Sequence, residues 1–151
     1  MADMASELEA AAFRLRRAGQ DDLARELTAA MRRAVAPVPG QIRDGLDAHL
    51  PNHYADDLNA GIDIKTIARS NGVTDAVATV YAQSRGGVRK LRNLDRGMLT
   101  HPLFGDREHW YTQGAPSVRP GWFTGPCEAA APRVRAELEK ALADVAAKAA
   151  G

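Results

Sequence analysis

A chain of 151 residues is long enough for one domain with a buried core and short for two. Twenty basic residues against 19 acidic ones leave a net charge of +1, which excludes a strongly cationic nucleic-acid-binding domain. Hydrophobic residues make up 45% of the chain but aromatics only 5%, so an alanine-rich body is expected to bury little area and to associate with copies or partners. The one cysteine, Cys127, cannot form an intramolecular disulfide and suits a reducing compartment. No apolar run reaches the length of a membrane span, and "MADMASELEA" lacks the cationic start of a secretory signal.

In chain order, residues 1–50 read as helical. Leu8, Ala11, Ala12 and Leu15 repeat at helical spacing behind Ser6 as N-cap, with Gly19 as a stop. A second helix is expected from Asp21 or Asp22, with Leu23, Leu27, Ala30, Met31 and Ala34 on its apolar face, ended by Pro37 and Pro39. Ile42, Leu46, His49 and Leu50 resume the pattern, and Leu50–Pro51 marks a boundary. Residues 58–83 read as a β-hairpin around Asn71–Gly72, the dipeptide favoured by a type I′ turn. That turn puts Ser70 opposite Val73, Thr66 opposite Val77, Ile64 opposite Thr79 and Ile62 opposite Tyr81.

Residues 84–125 read as an extended loop or arm, with a short helix possible near its start and one short strand over His109–Gln113. The strand is expected to join the hairpin in a small antiparallel sheet. Residues 126–149 form the closing helix, with Val134, Leu138, Ala141, Leu142 and Val145 on one face. Pro132 is expected to reset that helix near its start, and its alanine-rich end to fray. The sum is a single α+β domain over 1–151.

Candidates for chemistry are sparse. His49 and His53 stand four apart beside Asp47, Asp56 and Asp57, but Pro51 between them breaks the helix that would align them on a metal. Cys127 at a helix start has no histidine placed by spacing as its base, and reads as a small packing residue. "RGGVRK" lacks the strand-loop-helix context of a phosphate loop. Carboxylates form no acid–base pair. No catalytic residue, cofactor or metal is therefore expected. Arg85, Arg89, Lys90, Arg92 and Arg96, against Asp95 alone, make a charged segment able to touch a DNA backbone without reading sequence. Phe104, Trp110, Tyr111, Trp122 and Phe123, interleaved with Pro102, Gly105, Pro116, Pro120 and Gly121, suit a subunit or partner interface. A core role is equally compatible for Trp122 and Phe123 at the start of the closing helix.

The order "LDRGMLTHPLFGDREHWYTQ", "RPGWFTGP" and "RVRAELEKAL" resembles the neck proteins of long-tailed bacteriophages, in the form seen in phages of actinobacteria. The likeness is loose over 1–50 and strongest over 85–145, and none of its motifs is catalytic. It implies a virion protein, assembled in the host cytoplasm and forming a homomeric ring, six-fold by expectation, at the head-to-tail junction. Such a ring joins the head-closure, stopper or adaptor protein to the tail terminator or tail tube and encloses double-stranded DNA. The alternatives are a tail-terminator ring capping the tube and a small cytosolic protein-binding module.

Overall fold

A computed structural model describes residues 4–71, 75–86 and 90–151. The fold is α+β, with N-terminal helices, two small antiparallel hairpins and a C-terminal helix. The elements are α1 (Met4–Val35), α2 (Val38–Asp44), α3 (Leu46–His49), α4 (Asn52–Gly61), β1 (Ile62–Ser70), β2 (Ala76–Ser84), α5 (Leu91–Asp95), β3 (Leu99–Leu103), β4 (Asp106–Gln113) and α6 (Thr124–Ala150). They fall into two compact units. The first takes Met1–Val35, Ile67–Thr79 and Pro132–Gly151; the second takes Ala36–Thr66 and Val80–Ala131.

In the first unit α1 is a single helix of 32 residues, so Gly19 does not stop it. Gly19 is not in the left-handed conformation that a glycine stop requires, and no proline follows it nearby. A glycine alone costs a helix only about 1 kcal/mol, too little to end one flanked by good helix formers. The apolar stripe expected from Leu8 to Leu15 lies outside the described side chains. The C-terminal half of α1 runs antiparallel to α6. Leu23, Leu27 and Ala30 pack with Leu138 and Ala141, while Arg33 pairs with Glu137 and Lys148 with Glu26. Arg133 Nε donates to the Ala34 carbonyl at 2.9 Å, satisfying one of the acceptors that the last turn of α1 leaves open. Pro132 removes one hydrogen bond from α6 without ending it, because packing further along holds the rest of the helix in place. The alanine-rich end stays helical to Ala150.

The second unit begins with three short helices. Pro39 sits in the first turn of α2, where its missing N–H is not needed. Leu50 is extended before Pro51, as a residue preceding proline prefers. That boundary separates two helices, however, since α4 follows it directly. Arg43 binds the C-terminal end of α4, its Nη1 donating to the Asn59 carbonyl at 2.9 Å and its Nη2 to the Ile62 carbonyl at 3.1 Å.

The β1–β2 hairpin differs in register from the sequence reading. Asn71 N–H donates to the Asp75 carbonyl at 2.8 Å, and at the other end Arg85 N–H donates to the Gly61 carbonyl at 2.8 Å. Both bonds belong to one register, which sets Ile62 opposite Ser84 rather than Tyr81 and Thr66 opposite Val80 rather than Val77. An odd shift of this kind exchanges the faces of one strand relative to the other. Ile62 and Ala68 are buried, and Ile64, Ala78, Val80 and Ala82 half-buried, while Ile67 and Val77 on the opposite face are exposed. The new register thus gathers the better apolar set on one side. Gly72 and Val73, which carried the expected type I′ turn and its first pair, lie outside the described residues.

Candidate functional site

Residues 90–123 are more ordered than an extended arm. After the short helix α5, Gly97 takes a φ of +80°, and a Cβ there would meet the Pro120 ring at 3.1 Å. Glycine is therefore needed at that close approach. Two backbone bonds tie down the segment after β4: Arg119 N–H to the His49 carbonyl at 2.8 Å, and Gly121 N–H to the Asp95 carbonyl at 2.8 Å.

Asp95, the lone acid of the basic segment, caps α6. Its Oδ1 accepts from Phe123 N–H at 2.8 Å and Thr124 N–H at 3.0 Å, two donors that the start of a helix leaves without intrahelical partners. A cap 28 residues upstream leaves no local sequence signal. In the sequence Asp95 stands out only as the isolated acid among arginines.

The expected strand over His109–Gln113 is present and extends back to Asp106. Its partner is Leu99–Leu103, in a second two-stranded sheet apart from the first hairpin. The pairs are Leu99 with Gln113, Thr100 with Thr112, His101 with Tyr111 and Pro102 with Trp110. Pairing alternates sides, so Trp110 stands with Thr100, Pro102 and Thr112, and Tyr111 with His101 on the opposite face. The His101 and Tyr111 rings meet edge-on at 5.8 Å.

Phe104 and Gly105 form the turn, with Leu103 paired to Asp106 and φ values of +51° and +81° at the two central positions. Positive φ at both is what a type I′ turn requires, and Asn, Asp or Gly normally supply it. A bulky side chain in this region is strained. Phe104 is also 100% exposed, so no packing within the chain compensates the strain.

Local bonds stiffen the rest of the tip. Asp106 accepts from Glu108 N–H at 2.9 Å and pairs with His109 Nδ1 at 2.7 Å, and these two contacts hold its carboxyl below the usual carboxylate range. Trp110 Nε1 donates to the Arg107 carbonyl at 2.9 Å, fixing an indole that remains 61% exposed. Leu103, Met98 and Tyr111 are exposed as well. A cleft of about 470 Å³ runs beneath Trp110, lined by Tyr54, Leu94, Met98 and Pro102 among others.

The residues expected at an interface therefore divide. Phe104, Trp110 and Tyr111 are displayed on the hairpin. Trp122 is a correction: it is 1% exposed and is among the largest buried side chains, so it is a core residue and not an exposed anchor. A chain this poor in aromatics uses it as core where the segment enters α6. Phe123 is half-buried against it, the rings edge-on at 5.6 Å.

The cations divide too. Arg85 binds Asp63 through Nε at 3.1 Å and Nη2 at 2.7 Å in an ion pair on the surface. That hydrogen-bonded pairing depresses the Asp63 carboxyl. Lys90, Arg92 and Arg96 lie on the surface, and Arg89 lies outside the described residues.

The enzymatic candidates gain nothing from the fold. His49 ends α3 and His53 lies in α4, across Pro51. Among the described residues no group of His, Cys, Asp or Glu could hold a metal ion. Burial, then the nearby Asp95 and Glu128 carboxylates, push the Cys127 thiol up, opposite to the shift a nucleophile needs. No described helix is long and apolar enough to cross a membrane. No protein-family model, no curated protein and no solved structure matches the chain.

Proposed function

We propose that this chain is a structural, non-enzymatic subunit that associates with copies of itself through the β3–β4 hairpin, as a ring at the head-to-tail junction of a long-tailed bacteriophage. The observation that carries the association is Phe104, fully exposed and held at positive φ on the tip of a stiffened hairpin. Strain kept without compensation inside one chain is a pointer to function. The exposed Trp110 and Tyr111 behind it are of the types enriched at interface anchors.

The junction itself comes from the sequence resemblance, to which the order of elements is suited. A ring needs a small body, a projecting contact element and surface cations that tolerate passing phosphate. Lys90 and Arg96 supply such cations without base-reading geometry. Head-to-tail contacts between identical subunits close into a ring when the rotation allows.

Two measurements test the reading separately. Light scattering of the purified chain, alone and mixed with head-completion and tail-tube proteins, should give a multiple of the chain mass; a monomer in every mixture overturns the self-association. In a phage carrying the gene, its deletion should leave filled heads and unattached tails under the electron microscope. Joined particles would overturn the junction role.

A further inference from the structure

The second unit carries both an insert and a receptor. Besides the hairpin tip, it has a cleft of about 410 Å³ lined by Val80, Tyr81, Leu91, Arg92, Trp122 and Phe123. That volume lies within the roughly 300–1,000 Å³ of pockets that hold small-molecule-sized groups, ample for one benzyl ring. Its walls are mainly aliphatic and aromatic, and its cation, Arg92, is exposed without an ion pair among the described residues. Its acid, Asp95, is already engaged by the α6 backbone. Trp122 adds a second feature: its indole N–H is buried with no acceptor among the described residues. A buried donor left unpaired is costly.

The tip has the matching chemistry. Phe104 projects completely, and Glu108, four residues on, is exposed and unpaired among the described residues. Asp106, by contrast, is consumed by Glu108 N–H and His109. Between Asp106 and Glu108 the tip also carries Arg107, exposed; to a cleft of apolar walls and one free guanidinium it offers one apolar ring and, in Glu108, one free carboxylate. We propose that the hairpin tip of one copy docks in the Trp122 cleft of a second copy, Phe104 entering the cleft and Glu108 meeting Arg92. The contact joins two different patches, so each copy keeps a free tip and a free cleft for the next. It deepens the ring reading and depends on it, by naming the surfaces that meet.

Mixing two variants tests the contact. Phe104→Asn disables the tip and Arg92→Glu disables the cleft; each changes an exposed residue, and a cooperative circular dichroism melt at or above the wild-type midpoint verifies folding. Alone, each should weaken association about 30-fold, as loss of an interface anchor does. Mixed, they retain one intact junction and should form a heterodimer by light scattering that grows no further. Arg92→Glu combined with Glu108→Arg in one chain should restore assembly. Assembly of Phe104→Asn at wild-type strength overturns the contact while leaving the ring reading in place. So does a mixture that stays monomeric when the wild type assembles, since an intact tip and an intact cleft would then fail to join. Arg92→Glu that assembles normally but loses salt-sensitive binding to a DNA duplex assigns the arginine to phosphate and also overturns the contact. A wild-type chain monomeric at every concentration and in every mixture with head-completion and tail-tube proteins overturns contact and ring together.

Discussion

Phe104→Asn should stabilise the isolated chain while weakening its association, a pairing of opposite signs that few surface changes produce. Phe104 is 100% exposed, so its replacement forfeits no burial within the chain. Its φ of +51° lies in the left-handed region, which costs an ordinary L-residue roughly 1–2 kcal/mol. Asparagine tolerates that region, and before Gly105 it completes the dipeptide that type I′ turns prefer. Unlike glycine, it adds little freedom to the unfolded chain. The expected gain is about 1 kcal/mol, or a rise in Tm of roughly 2–4 °C for a chain of 151 residues. Thermal unfolding by circular dichroism, at a concentration too low for association, measures the gain, and light scattering at high concentration measures the loss. A fall in Tm would refute the reasoning, since it would mean that the phenyl ring supports its own chain.

Trp110→Ala and Trp122→Ala should separate surface from core: the first changes folding by less than about 1 kcal/mol yet weakens association, the second costs roughly 3–5 kcal/mol in urea unfolding. Asp95→Ala should lower stability by about 1–2 kcal/mol, because the first-turn N–H groups of α6 lose their acceptor, with Asp95→Asn recovering part of it. Gly19→Ala, where a methyl group would meet nothing within 4 Å, should stabilise α1 by roughly 0.5–1 kcal/mol in the same assay. The Asp63 carboxyl, depressed chiefly by its hydrogen bonds from Arg85, contributes stability that is present above the ordinary 3.8 and lost as pH falls through its lower folded value. Arg85→Gln should therefore lower stability at neutral pH and flatten its acid dependence, measured as denaturation midpoints across that range.

What could be read in the sequence was whatever depends on neighbours along the chain. The apolar face Leu23, Leu27 and Ala30 and the face Leu138 and Ala141 were legible from spacing, and the two meet as expected of amphipathic helices. The strand over His109–Gln113 was legible from its composition, and the exposed Phe104, Trp110 and Tyr111 from their company of prolines and glycines. Its partner was not legible, because Leu99–Leu103 contains a proline that argues against a strand. Nor was the Phe104–Gly105 turn, since phenylalanine is a poor residue for positive φ. The first hairpin shows the complementary error. Asn71–Gly72 correctly announced a reversal, but the choice of loop length fixed every pair beyond it, and the wrong length put Ile62 and Ile64 beside the wrong residues of β2.

Phe104 and Asp95 escape a local reading for one reason. At each, a residue satisfies something that is distant in sequence, and local preference is overridden. Asp95 sits in a basic run where a base would be expected, and the reason is α6, 28 residues further on. Phe104 sits where asparagine belongs, and nothing in the described chain gains from it. If the first departure is explained by a contact inside the molecule, the second calls for one outside it. A local rule broken with no return within the described fold points to a contact outside it, and the proposed docking in a cleft edged by Arg92 on an identical neighbour would supply that return.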